Sequence, residues 1–166
     1  RPALENYGYF ATAMGAFRLR TSLLELYDDV NEINFFREAQ FFKVMEGRRQ
    51  IPAISIAWDG TGTDDDIYIG TWDGLWYAPT GTSSALSSAP VSLPQTRGNR
   101  IYMVEINTNY RAYISNVYLF IQRKSDDSVV RSPFVAGTPG TITAIDWSGD
   151  NLVISGTEGL VVLPPQ

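Results

Sequence analysis

The densest group of chemically capable side chains is the stretch Asp59-Gly-Thr-Gly-Thr-Asp-Asp-Asp66. Carboxylates in a glycine-rich segment offer hard oxygen ligands, the kind Ca²⁺ takes. Asp59, Asp64 and Asp66 are the candidate ligands, and Ca²⁺ is the one cofactor the sequence suggests. Their spacing is not that of an EF-hand loop, and a solvated strand connection accounts for the same charges. Asp73, Glu105, Asp146 and Glu158 are the carboxylates available for glycoside hydrolysis, which needs two at a fixed separation. Nothing in the sequence brings two of them together. The chain has no His and no Cys. That excludes thiol nucleophiles, disulfides, Ser-His-Asp triads and zinc sites built on Cys or His. No residue is assigned a catalytic role.

Composition narrows the rest. With 166 residues, 44% of them apolar, the chain is long and apolar enough for one domain with a core. A net charge of −5 leaves no broad basic footprint for nucleic acid. No run approaches the roughly 20 apolar residues that span a bilayer. Arg1 opens the chain without an initiator Met or a signal peptide, so a mature form or an excerpt is expected.

The elements that must position these residues centre on Ile67-Tyr-Ile-Gly-Thr-Trp-Asp-Gly-Leu-Trp-Tyr77. Its first half alternates as a half-buried strand does, and Thr71-Trp72-Asp73-Gly74 supplies a turn in which Gly74 can take positive φ. Leu75 starts a second strand. Ile154-Ser-Gly-Thr-Glu-Gly-Leu-Val-Val162 has the same form. Residues 9–20 make a weaker third copy, with Phe10 on Ile69, Thr12 on Thr71, Gly15 on Gly74 and Phe17 on Trp76. Leu23, Leu26, Tyr27, Val30 and Ile33 fit a helical spacing, so a short helix near 22–34 stands beside an irregular insertion.

A second signal precedes the hairpins. Ile51, Ile54 and Ile56 follow Gly47; Ile101, Val104 and Ile106 follow Gly98; Ile142, Ile145 and Trp147 follow Gly140. This +3, +5 spacing recurs after 50 and then 41 residues, a period that marks propeller blades or solenoids. The expected fold is all-β: a propeller-like stack of four-stranded antiparallel blades, incomplete at about three and a half blades. Residues 7–46 make a partial blade, 51–95 and 98–135 whole blades, and 140–166 a partial one. One blade cannot bury both faces of its sheet, which explains apolar residues on both faces of strands such as Tyr118-Leu-Phe-Ile121.

Residues 67–77 also resemble the repeat of the two-component-regulator type propellers, with their aromatic-Ile-Gly-Thr…Gly-Leu signature. The likeness holds at 51–77 and 140–163, thins at 8–21, and departs at 100–122, where Ser115-Asn116 stands for Gly-Thr and the turn glycine is missing. The resemblance implies an extracytoplasmic (periplasmic or secreted) sensor or binding domain, often for carbohydrate.

In a blade, the loop between blades and the turn between second and third strands share a rim. That rim collects Arg48, Arg49, Arg97 and Arg100 from the loops, and Trp72, Asp73, Asn116 and Glu158 from the turns. Arginines beside a Trp and carboxylates suit a sugar, a peptide or an anionic group. Ordinary turn chemistry explains the same residues. Trp58, Trp76 and Trp147 are expected between blades, and Trp72 in solvent. The leading functional reading is a non-catalytic binding module of sensor or scaffold type. Its partner would be a protein or the missing blades, with carbohydrate or peptide as ligand. The alternatives are a carboxylate-dependent propeller enzyme acting on polysaccharide and a structural subunit of a large assembly.

Overall fold

A computed structural model describes residues 7–13, 15–20, 40–42, 44–60, 66–79, 91–133 and 139–165. The stretch 22–34 and Asp64 lie outside the described residues.

The first sheet is β1 (Tyr7–Thr12), β2 (Gly15–Arg20) and β3 (Gln40–Phe42), in that order. A small hairpin follows, β4 (Met45–Glu46) and β5 (Arg49–Gln50). The second sheet is β6 (Ala53–Asp59), β7 (Asp66–Thr71), β8 (Gly74–Pro79) and β9 (Val91–Ser92). A short 3-10 turn at Pro94–Thr96 leads to the third sheet: β10 (Ile101–Ile106), β11 (Tyr110–Ser115), β12 (Tyr118–Arg123) and β13 (Val129–Pro133). The fourth is β14 (Ile142–Ser148), β15 (Asn151–Gly156) and β16 (Gly159–Leu163). Every pairing is antiparallel between consecutive strands. The chain is therefore all-β, with the meander sheets of an incomplete propeller.

Three apolar clusters fill the three seams between the four sheets. Side chains in a strand alternate faces, so Ile67 and Ile69 point to the first seam with Trp76, while Tyr68 points to the second with Leu75. In the third sheet Tyr113 and Phe120 pack into the second seam, whereas Ala112, Ile114, Leu119 and Ile121 pack into the third against Ile145, Leu152 and Ile154. Burying each large side chain is worth about 1.5–3 kcal/mol. Both faces of the middle sheets are covered in this way. The outer face of the fourth sheet is not: Leu160 follows Gly159 as Leu75 follows Gly74, yet Leu160 is 61% exposed and Leu75 0%.

The pairing corrects one sequence register. β10 and β14 each carry a bulge, between Ile101 and Met103 and between Ile142 and Ala144, and β6 carries its own between Ala53 and Ser55. The partners of Ile101, Val104 and Ile106 in the second sheet are thus Ala53, Ile56 and Trp58, two residues later than Ile51, Ile54 and Ile56. Ile51 instead precedes the strand, buried, with its N–H donated to the Val44 carbonyl at 2.9 Å.

Candidate functional site

The hairpin turns are built by one device. The Thr71 hydroxyl donates to the Gly74 carbonyl at 2.7 Å and accepts from the Asp73 N–H at 3.1 Å. Thr12 donates to the Gly15 carbonyl at 2.9 Å in the same way, and Gly15 and Gly74 both hold positive φ, 110° and 96°. In the third sheet Ser115 takes the place of Thr71, donating to the Tyr118 carbonyl at 3.2 Å and accepting from the Val117 N–H at 3.2 Å. The departures from the repeat are therefore Ile114, which stands where Gly70 does, and Tyr118, which stands at the place of the turn glycine Gly74. In the fourth sheet Gly156 pairs with Gly159, and Thr157, now inside the turn, exchanges bonds with Thr141.

These turns meet the loops between sheets. Gly74 N–H donates to the Asn99 carbonyl at 2.7 Å, Leu75 N–H to the Thr96 hydroxyl at 2.8 Å, and Gly98 N–H to Asp73 Oδ1 at 2.8 Å. Arg97 bridges Asp73 Oδ2 at 3.1 Å and Glu46, and lies over the Trp76 ring. Both oxygens of Asp73 are thus held by the loop. The Arg100 guanidinium lies 3.5 Å from the Trp72 ring centroid and 4.8 Å from that of Tyr102. Arg48 and Arg49 are exposed on the β4–β5 hairpin. Asn116 is exposed at its turn, and Glu158 stands beside Gly140 with its N–H on the Pro139 carbonyl.

A cleft of about 530 Å³ opens at this end of the third seam, lined by Tyr102, Met103, Ile114, Asn116, Thr141 and Ile142 among others. Its origin is the Gly70/Ile114 exchange. A Cβ on Gly70 would lie 2.2 Å from the Ser55 hydroxyl and 2.8 Å from the Ile101 carbonyl, so only glycine lets β10 come so close. Ile114 puts a full side chain at the same place, where it lines the cleft opposite Thr141 and Ile142. Tyr102 and Thr141 were not singled out from the sequence, where each reads as ordinary strand or loop material. Only their adjacency to Arg100 and Gly140 hinted at the rim.

Trp72 is 51% exposed, as expected. Trp76 is buried in the first seam, and Trp147 stacks on Tyr110 at 5.7 Å in the third. Trp58 corrects the expectation of a ring between blades: it is 39% exposed, because its ring lies over Gly60, where a Cβ would come within 2.6 Å of it.

Asp59 lies at the opposite end of the sheets, across from Asp66 in the β6–β7 pairing. Its carboxylate is buried between two cations from the third sheet, Lys124 at 2.6 Å and Arg111 at 3.2 Å. Arg111 also reaches Asp127 at 3.2 Å and lies over the Tyr68 ring. Burial pulls the Lys124 ammonium below the usual lysine range, and the hydrogen bond and charge of Asp59 oppose that pull. Burial also pushes the Tyr68 and Tyr113 phenols up. Asp59 thus ties the second sheet to the third. Among the described residues no three acidic groups gather as a metal site. At the same end of the third seam, Asn109 donates to Asp150 at 2.9 Å and Asn107 to the Gly149 carbonyl at 2.7 Å. Within that seam Glu105 is pushed up, first by burial and then by the nearby charge of Asp146.

No protein-family model and no curated protein matches the sequence. Among solved structures the fold is similar to that of human WBSCR16, with a TM-score of 0.50 and 16% identity over 90% of this chain. The CNH domain of AfRom2 also matches, with a TM-score of 0.45 and 8% identity over 95% of the chain. The chain spans 42% and 46% of the lengths of those two chains. What the likeness to WBSCR16 establishes is the fold alone.

Proposed function

We propose that the chain is a non-catalytic interaction module, a propeller part of sensor or scaffold type, whose rim of inter-sheet loops and hairpin turns takes a ligand or partner. The observation that carries this reading is the 530 Å³ cleft at the rim, whose lining Tyr102 is covered by Arg100, the guanidinium that also lies over the exposed Trp72 ring. Clefts of about 300–1,000 Å³ with a few polar groups among apolar ones are what small-ligand sites look like. The resemblance of residues 67–77 to the two-component-regulator propellers supports the sensor reading and an extracytoplasmic setting. The bare outer face of the fourth sheet, with Leu160 and Val162 exposed, supports further blades or a protein partner there. Among the described residues no helix is long and apolar enough to cross a membrane.

The test is a screen of glycans and peptides against the whole protein, followed by Trp72→Ala. A hit that weakens at least tenfold in the variant supports the reading. A hit indifferent to both Trp72 and Arg100, or no hit at all, counts against the rim.

A further inference from the structure

We propose that Arg100 is an anion receptor at the mouth of the cleft, and that its ligand is an oligosaccharide carrying a carboxylate. This rests on the binding-rim reading above. The starting observation is a guanidinium that the fold holds but does not satisfy. It is set between the rings of Trp72 and Tyr102, and Tyr102 lines the cleft. Among the described residues Arg100 has no ion-pair or hydrogen-bond partner, and its Nε is buried without an acceptor. The other half-buried arginines show what is missing: Arg97 is met by Glu46 and Asp73, and Arg111 by Asp59 and Asp127. Arginine carries five donors in a planar fork. Contact with two rings restricts the guanidinium, which leaves its fork available to a planar, bidentate acceptor, and that is what a carboxylate presents.

The rest of the cleft selects the body of the ligand. Its polar lining is neutral, from Asn116 and Thr141, which can both donate and accept as sugar hydroxyls require. An acidic peptide would recruit main-chain groups along a sheet edge. Here the 139–141 wall has already used them: the Pro139 and Thr141 carbonyls accept from Glu158 and Thr157, and the Thr141 N–H goes to the Thr157 hydroxyl. Glu158 beside Gly140 makes the far lip acidic, so the ligand's carboxylate belongs at the Arg100 end and its neutral part toward Thr141.

The experiment compares trigalacturonate with the matching neutral galactose trisaccharide by calorimetric titration at low salt. The acid should bind at least tenfold more tightly. Arg100→Gln should abolish that preference, and Arg100→Lys, which keeps the charge without the fork, should restore part of it. Equal binding of the two sugars overturns this proposal and leaves the rim reading standing, as does a preference that survives in Arg100→Gln. Arg100-dependent binding of a pentaglutamate peptide in place of the trisaccharide also overturns it. Binding of neither sugar overturns it too, and a blank in the wider screen would then remove the rim reading as well.

Discussion

At the second seam Gly70 lets Ile101 come against the backbone of β7; at the third, Ile114 occupies the same place and lines the cleft together with Ile142. The far ends differ in the same sense. The second seam is tied by a buried carboxylate between Lys124 and Arg111, the third by side-chain amides to Asp150 and a backbone carbonyl. The charges differ too, since the buried Asp59 faces cations while the half-buried Glu105 feels another carboxylate, Asp146. The same strand order and the same hydroxyl-capped turn thus give one locked seam and one that opens at the rim. One side chain at the fifth position of the second strand decides which.

The largest effect should come from the lock. Asp59→Ala leaves two buried cations without their shared partner and should cost about 3–5 kcal/mol. Asp150→Ala at the equivalent end of the third seam should cost about 1 kcal/mol or less, because a neutral donor is left near solvent. Urea unfolding of both variants checks the contrast, and equal losses would break it. Next comes the close approach. Gly70→Val should cost about 1–3 kcal/mol by overpacking against Ser55 and Ile101. Ile114→Val, which only trims the spacer, should cost about 0.5–1.5 kcal/mol, and it should shrink the cleft in a crystal structure.

The smallest effect is electrostatic. Glu105 has a folded-state pKa raised above its unfolded value, so its stabilising contribution is present in acid and lost as pH rises through the folded value. Glu105→Gln should therefore raise the melting temperature at pH 7 and leave it nearly unchanged below the unfolded glutamate value, near pH 4. Melting curves across that range give the sign directly. A variant less stable than the parent at pH 7 would show that Glu105 is held by a favourable partner.

The sheets were legible because their signals are local and periodic. Phe10, Thr12, Gly15 and Phe17 take the positions read for them against Ile69, Thr71, Gly74 and Trp76, down to the Phe10–Phe17 pairing and the threonine cap. Register was harder. Ile51 mimics the first residue of the strand motif, and only the bulge between Ala53 and Ser55 shows where the repeat begins. Ser115 read as a replacement for glycine, though it is the hydroxyl cap, and so the departure at Ile114 went unseen. The site was less legible still. Loop and turn residues fall on one rim by topology, which the repeat announces. The acidic stretch around Asp59 carries no local sign of the partners of that carboxylate, because Arg111 and Lys124 lie 52 and 65 residues away and obey no period. The acceptors of Arg97, Glu46 and Asp73, come from two different hairpins and were equally hidden from local pattern.

Hydrogen exchange tests the difference between the seams most directly, since local opening follows the weaker packing. In the whole protein the amides of β14 that pair with β15 should exchange at least tenfold faster than those of β10 that pair with β11. Trigalacturonate, if bound at the rim, should slow the former selectively. Equal protection of β14 and β10, or greater protection of β14, would contradict an open third seam and with it the cleft.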